Sequence, residues 1–361
     1  MHVGQRWRLG HRPALDGLRA IAVLMVVAAH FDTGQLTSAG VMGVTVFFTL
    51  SGFLITTLLL QERSTTGRLS LGGFYVRRAL RLFPALAVML LTVAALTSAG
   101  LPTDVRPGMV AAVAGYVSNW YLMATAVAGQ VQWGALGHTW SLAIEEQFYL
   151  VWPLVAIGAA RWGRRTVLRV AASGAAVSLV WGMASGRPNL ASDVSAYALL
   201  VGCALAAWMH GRRTSSPSAL IAVVALAPLL PLSTLRLDRV AQVAVPLLTA
   251  VTIWVVVQTP VRVLSGRVLT WVGRRSYGLY LWHVPVAYLC FHTAAPWAVA
   301  APVGVGVSFG LTAMSWRYVE TPFLRLKDRQ AARAMTRGRV APDLAHDRTG
   351  RDAVRRLTPL T

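Results

Sequence analysis

Residues 14–31 read ALDGLRAIAVLMVVAAHF, an apolar run long enough to cross a bilayer as a helix. Arg19 and His30 lie inside this run, where ionisable side chains are costly and are therefore functional candidates. Their spacing is almost three helical turns, so both side chains project from one face about 16 Å apart along the axis. Alternatively, Arg19 reaches the membrane surface and His30 is an ordinary interfacial residue.

The composition of the whole chain agrees with this first run. Of 361 residues, 55% are hydrophobic and 13% are charged, and the mean hydropathy is +0.55. Soluble proteins average about 25% charged residues. A net charge of +21 would suit a nucleic-acid-binding protein, but the basic residues lie in gaps between apolar runs and not on one solvated face, which argues against that function. The sequence predicts an all-α, multi-pass protein of the cell membrane whose partner is the lipid bilayer.

The apolar runs predict about ten transmembrane helices. They cover residues 14–31, 41–61, 82–99, 141–160, 167–185, 193–209, 217–232, 241–258, 276–293 and 298–319. A further run, 108–123, is predicted to be a short helix that dips into the outer half without crossing. Ten crossings place most arginines on one side, and the positive-inside rule then predicts that both termini are cytoplasmic.

The chain divides into a transmembrane domain, residues 1–324, and a basic tail, residues 325–361. The tail alternates Arg with Asp, Thr and Pro and has little apolar periodicity, so we expect a disordered cytoplasmic segment. Cys203 and Cys290 both lie within apolar runs, so the sequence predicts neither a disulfide framework nor a metal site of the CxxC type.

A second group of ionisable residues opens the fourth predicted span, in the stretch WSLAIEEQFY at 140–149. Ser141, Glu145 and Tyr149 have the spacing of one helical face, which would direct one carboxylate into the bundle. A carboxylate there would orient His30 or raise its pKa. The alternative is that Glu145 and Glu146 only stabilise the positive end of the helix dipole.

Two more polar clusters flank apolar runs. Arg78 and Arg81 are neighbours on a helix and form a forked anion site, unless they only mark the cytoplasmic side. Ser276, Tyr280 and His283 form a polar stripe along the ninth predicted span, for which buried packing between helices is the alternative.

Taken together and in order, these motifs resemble the acyltransferase-3 family of integral membrane O-acyltransferases. The motifs are Arg19 with His30, FFTLSGFLI at 47–55, Arg78 with Arg81, WSL followed by EEQFY, and Ser276-Tyr277 leading to His283. The resemblance implies a bundle of ten helices that transfers an acyl group, commonly acetyl, from cytoplasmic acyl-CoA to a carbohydrate hydroxyl across the membrane. It is to the stand-alone form, without the fused hydrolase-like domain of some members.

The resemblance also implies roles for single residues. His30 corresponds to the essential histidine, Arg19 to its paired arginine, and Arg78 with Arg81 to the motif associated with donor binding. Glu145 and Glu146 lie in the conserved acidic motif, and both are catalytic candidates with His30. We expect Trp140, Ser141, Tyr280 and His283 to contact substrate, and no metal to take part.

The chemistry of acyl transfer leaves two routes open. His30 is either the base that removes the hydroxyl proton or a nucleophile that carries the acyl group. The favoured acceptor is a cell-surface or exported carbohydrate, with a glycosylated small molecule such as a macrolide as the alternative. In a different class of function, the same residues would form the proton or solute path of a transporter.

Overall fold

The computed structural model describes residues 8–67, 70–130, 133–234 and 238–326. Within these ranges every regular element is a helix. The longer elements are α1 (Pro13–Phe31), α2 (Thr37–Thr66), α3 (Leu71–Ser98), α4 (Pro107–Ala114), α5 (Ser118–Val127), α6 (Trp140–Ala160), α7 (Arg164–Ser185), α8 (Ser192–Met209), α9 (Ala219–Leu226), α10 (Leu229–Thr234), α11 (Asp238–Val256), α12 (Arg267–Arg274), α13 (Ser276–Phe291) and α14 (Trp297–Ser315). The predicted tail from residue 327 onward lies outside the described residues.

Seven helical segments of the described chain are long and apolar enough to cross a membrane. They are Pro13–Phe31, Ser38–Thr66, Leu71–Ser98, Gly137–Ala160, Arg164–Ser185, Ser192–Met209 and Trp297–Leu326. Large apolar side chains on several of them are open to the surroundings, including Leu91 at 71% exposure and Val177 at 69%. Such faces are unfavourable in water and suited to lipid. The protein is a multi-pass helical membrane protein.

The three other predicted spans are shorter in the structure than a standard membrane crossing. The run 217–232 forms α9 and α10, which are separated by turn residues at Ala227 and Pro228. A proline cannot donate the backbone hydrogen bond that would continue the helix. α13 has 16 residues, and the apolar part of α11 runs from Val240 to Val256.

The run 108–123 forms two short helices, α4 and α5, instead of the single one predicted. The break lies at Gly115 and Tyr116, and the Tyr116 φ of 54° is a left-handed conformation. Asn119 is fully buried in α5, where its amide nitrogen donates to the Leu190 carbonyl and to Ser192 Oγ, both at 3.0 Å. This polar group thus ties α5 to the start of α8.

Small residues allow α2 and α8 to cross closely. A Cβ added at Gly52 would lie 1.8 Å from the Leu199 carbonyl oxygen, and one added at Gly202 would lie 1.9 Å from that of Thr49. Close packing through small residues is a common way for membrane helices to associate. The contact fixes α2, which carries Ser51, Phe47 and Phe48 toward the centre of the bundle.

Candidate active site

The inner part of the site is built where α2, α3 and α6 meet. Glu145 Oε1 accepts hydrogen bonds from Ser51 Oγ at 2.5 Å and from Tyr149 OH at 2.8 Å. Arg78 Nη2 lies 3.8 Å from the same carboxylate oxygen. The helical spacing of Glu145 and Tyr149 therefore does bring them together, and α2 supplies a hydroxyl that the sequence did not link to them.

Arg78 is paired with Glu146 through two of its guanidinium nitrogens. Its Nε lies 2.9 and 2.8 Å from the two carboxylate oxygens of Glu146, and its Nη2 also donates to Glu146. The guanidinium carbon lies 3.4 Å from the centre of the Tyr149 ring, in a cation–π contact. Arg78 is thus a structural link between α3 and α6, and its charge is balanced within the protein.

Arg81 and Arg19 differ from Arg78 in this respect. Within the described ranges neither makes a hydrogen bond or an ion pair, and the buried Nε of Arg19 has no partner. Both line the same cavity as Glu145 and Glu146. The two arginines of the predicted anion site therefore differ. The charge of Arg78 is neutralised by Glu146, whereas Arg81 remains available to bind an anion.

Two cavities meet at these arginines. The first has a volume of about 770 Å³ and lies at the end of the bundle where α1 and α3 begin and α2 and α8 end. The second, about 90 Å³, lies deeper. Arg78 and Arg81 line both cavities. The first cavity is strongly basic, and its ionisable lining residues are Arg8, Glu62, Arg77, Arg78, Arg81 and His210.

His210 lies in this lining directly after the end of α8. Burial, and secondarily the charge of Arg164, lower the pKa of His210 below its ordinary value. The imidazole is consequently neutral at neutral pH, and the arginines supply the positive potential of the cavity.

A third cavity of about 210 Å³ lies toward the opposite end of the bundle. It shares Val44 and Phe48 with the second cavity, so these two side chains form the wall between them. Trp140 lines the third cavity, and its ring lies edge-on to Phe48 with centroids 6.5 Å apart. The predicted substrate residue Trp140 is therefore separated from Ser141 and Tyr280, which line the second cavity.

Three histidines form an outer cluster beyond the second cavity. His30 and His283 have ring centroids 4.9 Å apart, and those of His138 and His283 are 5.3 Å apart. His138 and His283 are buried, whereas His30 is exposed at the end of α1. The 3₁₀ turn Gly137–Thr139 directly before α6 places His138 here.

Hydrogen-bonded hydroxyls connect the histidines to the second cavity. Tyr280 OH donates to the His138 carbonyl at 2.7 Å, so it must accept the bond from Ser141 Oγ, also 2.7 Å long. Neither Glu145 nor Glu146 bonds to His30 in the described part of the chain. Instead, His30 Nδ1 lies 2.8 Å from the Val26 carbonyl, and this carbonyl orients the ring.

The structure adds residues that the sequence reasoning did not select. His138 lies two residues before the WSL motif, and this proximity could have identified it as a candidate site residue. Glu320 is 6% exposed on the π-helical turn Trp316–Glu320, with Ser315 Oγ 3.4 Å from its carboxylate. Glu320 could have been selected from the sequence because it is an acidic residue at the end of the last apolar run. Among the described residues, no group of three or more His, Cys, Asp or Glu has the arrangement of a metal site.

The chain is similar to a known protein family along most of its length. A family model described as an acyltransferase domain, that of the acyltransferase-3 family, matches residues 12–317. The peptidoglycan O-acetyltransferase OatA of Listeria monocytogenes is 32% identical over 352 residues, which cover 88% of this chain and 56% of the relative. "Putative peptidoglycan O-acetyltransferase YrhL" of Bacillus subtilis is 33% identical over 310 residues, which cover 77% and 49%. The chain thus spans about half the length of these relatives. No solved structure matches it.

Proposed function

The chain belongs to the acyltransferase-3 family, and from this premise we propose that it transfers an acetyl group from acetyl-CoA to a hydroxyl of a cell-wall carbohydrate. The observation that carries the proposal is the meeting of the first and second cavities at Arg78 and Arg81. This arrangement leads from a basic mouth at one end of the bundle to hydroxyl groups that are hydrogen-bonded up to the histidine cluster. The names of the relatives support peptidoglycan as the acceptor.

The first cavity has the size and charge to hold the nucleotide part of acyl-CoA. Small-molecule sites commonly measure about 300–1,000 Å³. Arg81 and Arg77 line it, and arginine binds phosphate oxygens through paired N–H donors. Arg81 has no hydrogen-bond or ion-pair partner among the described residues to give up on binding. We therefore assign it as the principal phosphate ligand, with Arg19 extending the positive charge into the second cavity.

His30 has the tautomer that a general base requires. A carbonyl oxygen can only accept a hydrogen bond, so the contact with Val26 places the proton on Nδ1 and leaves a lone pair on Nε2. In the reaction, the acceptor oxygen forms the ester C–O bond, the thioester C–S bond breaks, and Nε2 takes the hydroxyl proton. Glu145 is not bonded to this base among the described residues; its carboxylate instead orients the Ser51 and Tyr149 hydroxyls in the second cavity.

The same proposal includes the topology. α11, α13 and the α9–α10 pair are counted as crossings beside the seven long segments, which gives ten, with both termini in the cytoplasm and the transmembrane domain within residues 1–324. The basic first cavity then faces the cytoplasm, where acyl-CoA is made, and His30 faces the cell exterior. The membrane is the cytoplasmic membrane.

The direct experiment supplies both substrates to the purified full chain in lipid nanodiscs. Acetyl-CoA labelled in the acetyl group is mixed with soluble peptidoglycan fragments, and we expect label in the glycan as an alkali-labile ester. Folded protein that leaves the glycan unlabelled would overturn the proposed acceptor. If calorimetry detects no binding of acetyl-CoA to the same folded protein, acetyl-CoA is excluded as the donor.

A further inference from the structure

The short helix α12 packs against the beginning of α1, at the end of the bundle that also holds the first cavity. A Cβ added at Gly273 would lie 1.7 Å from the Asp16 carbonyl oxygen, so the two backbones touch at this point. Thr270 and Val272 of α12 are buried. The contact at Gly273 therefore fixes α12 on the bundle and leaves its other side free to meet the surroundings.

The outer face of α12 combines arginines with exposed apolar side chains. Arg267, Trp271 and Arg274 have the i, i+4, i+7 spacing of one helical face, and all three are exposed. Val268 is 75% exposed, and Val263 in the turn before the helix is 71% exposed. A short helix with basic residues beside exposed apolar ones is typical of a segment that lies in the membrane interface.

The indole ring on this face is held in position by its neighbours. The Trp271 ring stacks on that of Phe309 with centroids 6.4 Å apart and an interplanar angle of 14°. The guanidinium carbon of Arg275 lies 4.3 Å from the centre of the Trp271 ring and 5.1 Å from that of Trp316. Tryptophan is enriched at the level of the lipid headgroups. These contacts therefore fix a side chain that is suited to the membrane surface.

The positive charge of this surface is not neutralised by the described part of the chain. Arg262, Arg267 and Arg274 are exposed, and none of them forms an ion pair there. Residues 327–361 carry nine Lys or Arg and four Asp, so this segment has a net positive charge and does not complement a basic surface. The complementary partner is therefore an anion from outside the chain.

We propose that the outer face of α12 and the turn before it bind the headgroup of an anionic phospholipid. Arg267 and Arg274 bind the phosphodiester oxygens through their N–H donors, as arginine does at other phosphate sites. Val263 and Val268 contact the acyl chains, which a free phosphate does not offer. None of these residues lines the first or the second cavity, so the site is separate from the proposed active site and does not depend on acyl transfer.

Native mass spectrometry of the detergent-purified full chain tests this site. The protein is titrated with phosphatidylglycerol or with phosphatidylcholine of the same acyl chains, and the wild type should bind phosphatidylglycerol more tightly. The variant Arg267→Gln/Arg274→Gln should bind phosphatidylglycerol about 30-fold more weakly, since it loses two arginines near an anionic headgroup. Its affinity for phosphatidylcholine should stay unchanged. If the double variant does not fold, Arg267→Gln alone should lose about fivefold.

The matched control removes two other exposed arginines from the same end of the bundle. Arg165 and Arg169 lie near the start of α7, where Arg164 donates to the carbonyl of the cavity residue His210 at 2.9 Å. Arg165→Gln/Arg169→Gln should keep wild-type affinity for phosphatidylglycerol. Equal losses in both double variants, or a wild type without preference between the two lipids, would overturn the site. Competition by sn-glycerol 3-phosphate would show that a free phosphate suffices and would overturn the assignment to a lipid.

Discussion

The inner carboxylate site and the outer histidine cluster treat their polar groups in opposite ways. Around Glu145 and Glu146, hydrogen bonds and a cation–π contact satisfy Arg78, Ser51 and Tyr149 within the protein. In the outer cluster, His138 and His283 have buried ring nitrogens with no hydrogen-bond partner in the part of the chain that the structure describes. The two regions are neighbours. Ser141, which is on the same helix as Glu145 and Glu146, bonds to Tyr280, which is on the same helix as His283.

This difference separates groups that hold the site together from groups that remain available to substrates. A buried charged pair loses much stability when one partner is removed, because the other stays behind uncompensated. An unpaired nitrogen loses no internal bond on substitution. Stability and activity should therefore respond differently to mutations in the two regions.

The largest effect on activity should come from His30→Gln. This substitution removes the proposed base but breaks only the bond to Val26, so acetyl transfer should fall about 10²- to 10⁴-fold. Thermal unfolding in detergent should change little, because the side chain is exposed. Transfer at the wild-type rate by the labelled-acetyl assay would exclude His30 as the base.

The largest effect on stability should come from Glu146→Ala. Arg78 would lose its bidentate partner in a mostly buried position, and such losses cost about 3–5 kcal/mol. Denaturant titration of the detergent-solubilised protein measures the change. The double variant Glu146→Met/Arg78→Met should recover most of the stability without the activity. A stable single variant would mean that the pair is not structural.

The substitution Arg81→Ala tests whether the unpaired guanidinium of Arg81 binds the phosphates of acetyl-CoA. Acetyl-CoA affinity should fall about 10- to 100-fold, as expected for one charge-assisted hydrogen bond of about 1.5–3 kcal/mol, with the unfolding temperature unchanged. Calorimetric titration measures this affinity. Arg63→Ala is the control, because Arg63 is on α2 near the same end of the bundle but does not line either cavity. Equal losses in both variants would contradict a specific phosphate ligand.

The smallest effect concerns His210 and acid pH. Because its pKa is lowered, the ring becomes charged only when the pH falls below its ordinary titration range. The added charge then favours phosphate binding, so wild type should gain acetyl-CoA affinity relative to His210→Gln as the pH falls from 7 to 5. The ratio of the two dissociation constants removes the titration of the donor itself. A ratio independent of pH would show that His210 does not face the phosphates.

Much of the fold follows from the sequence because a bilayer imposes helices of known length. The apolar runs locate most of the long helices, yet α3 begins at Leu71, well before the predicted residue 82. Arg77, Arg78 and Arg81 remain helical beyond the apolar part, since Ser70 caps the helix by accepting from the Gly73 backbone N–H at 3.2 Å. Pro228 could have predicted the break between α9 and α10.

The site was less predictable, because helical spacing fixes neighbours on one helix and not partners across the bundle. The i, i+4 relation of Glu145 and Tyr149 was sufficient to pair them. The bond from Arg78 to Glu146 links residues 68 apart in the chain, and no local pattern specifies it. We expected a glutamate beside His30, but the ring next to it is that of His283. The sequence had indicated only that His283 is part of a polar stripe on its own helix.

The wall formed by Val44 and Phe48 would, in the proposed topology, also keep ions from passing between the second and third cavities. Cavities lie on both sides of it, and two apolar side chains separate them. A continuous water column at this point would let ions run down the membrane potential, which is worth about 2.3 kcal/mol per elementary charge at 100 mV. In the proposed topology, the wall therefore lets a cell maintain a voltage across an enzyme whose two proposed substrates come from opposite sides.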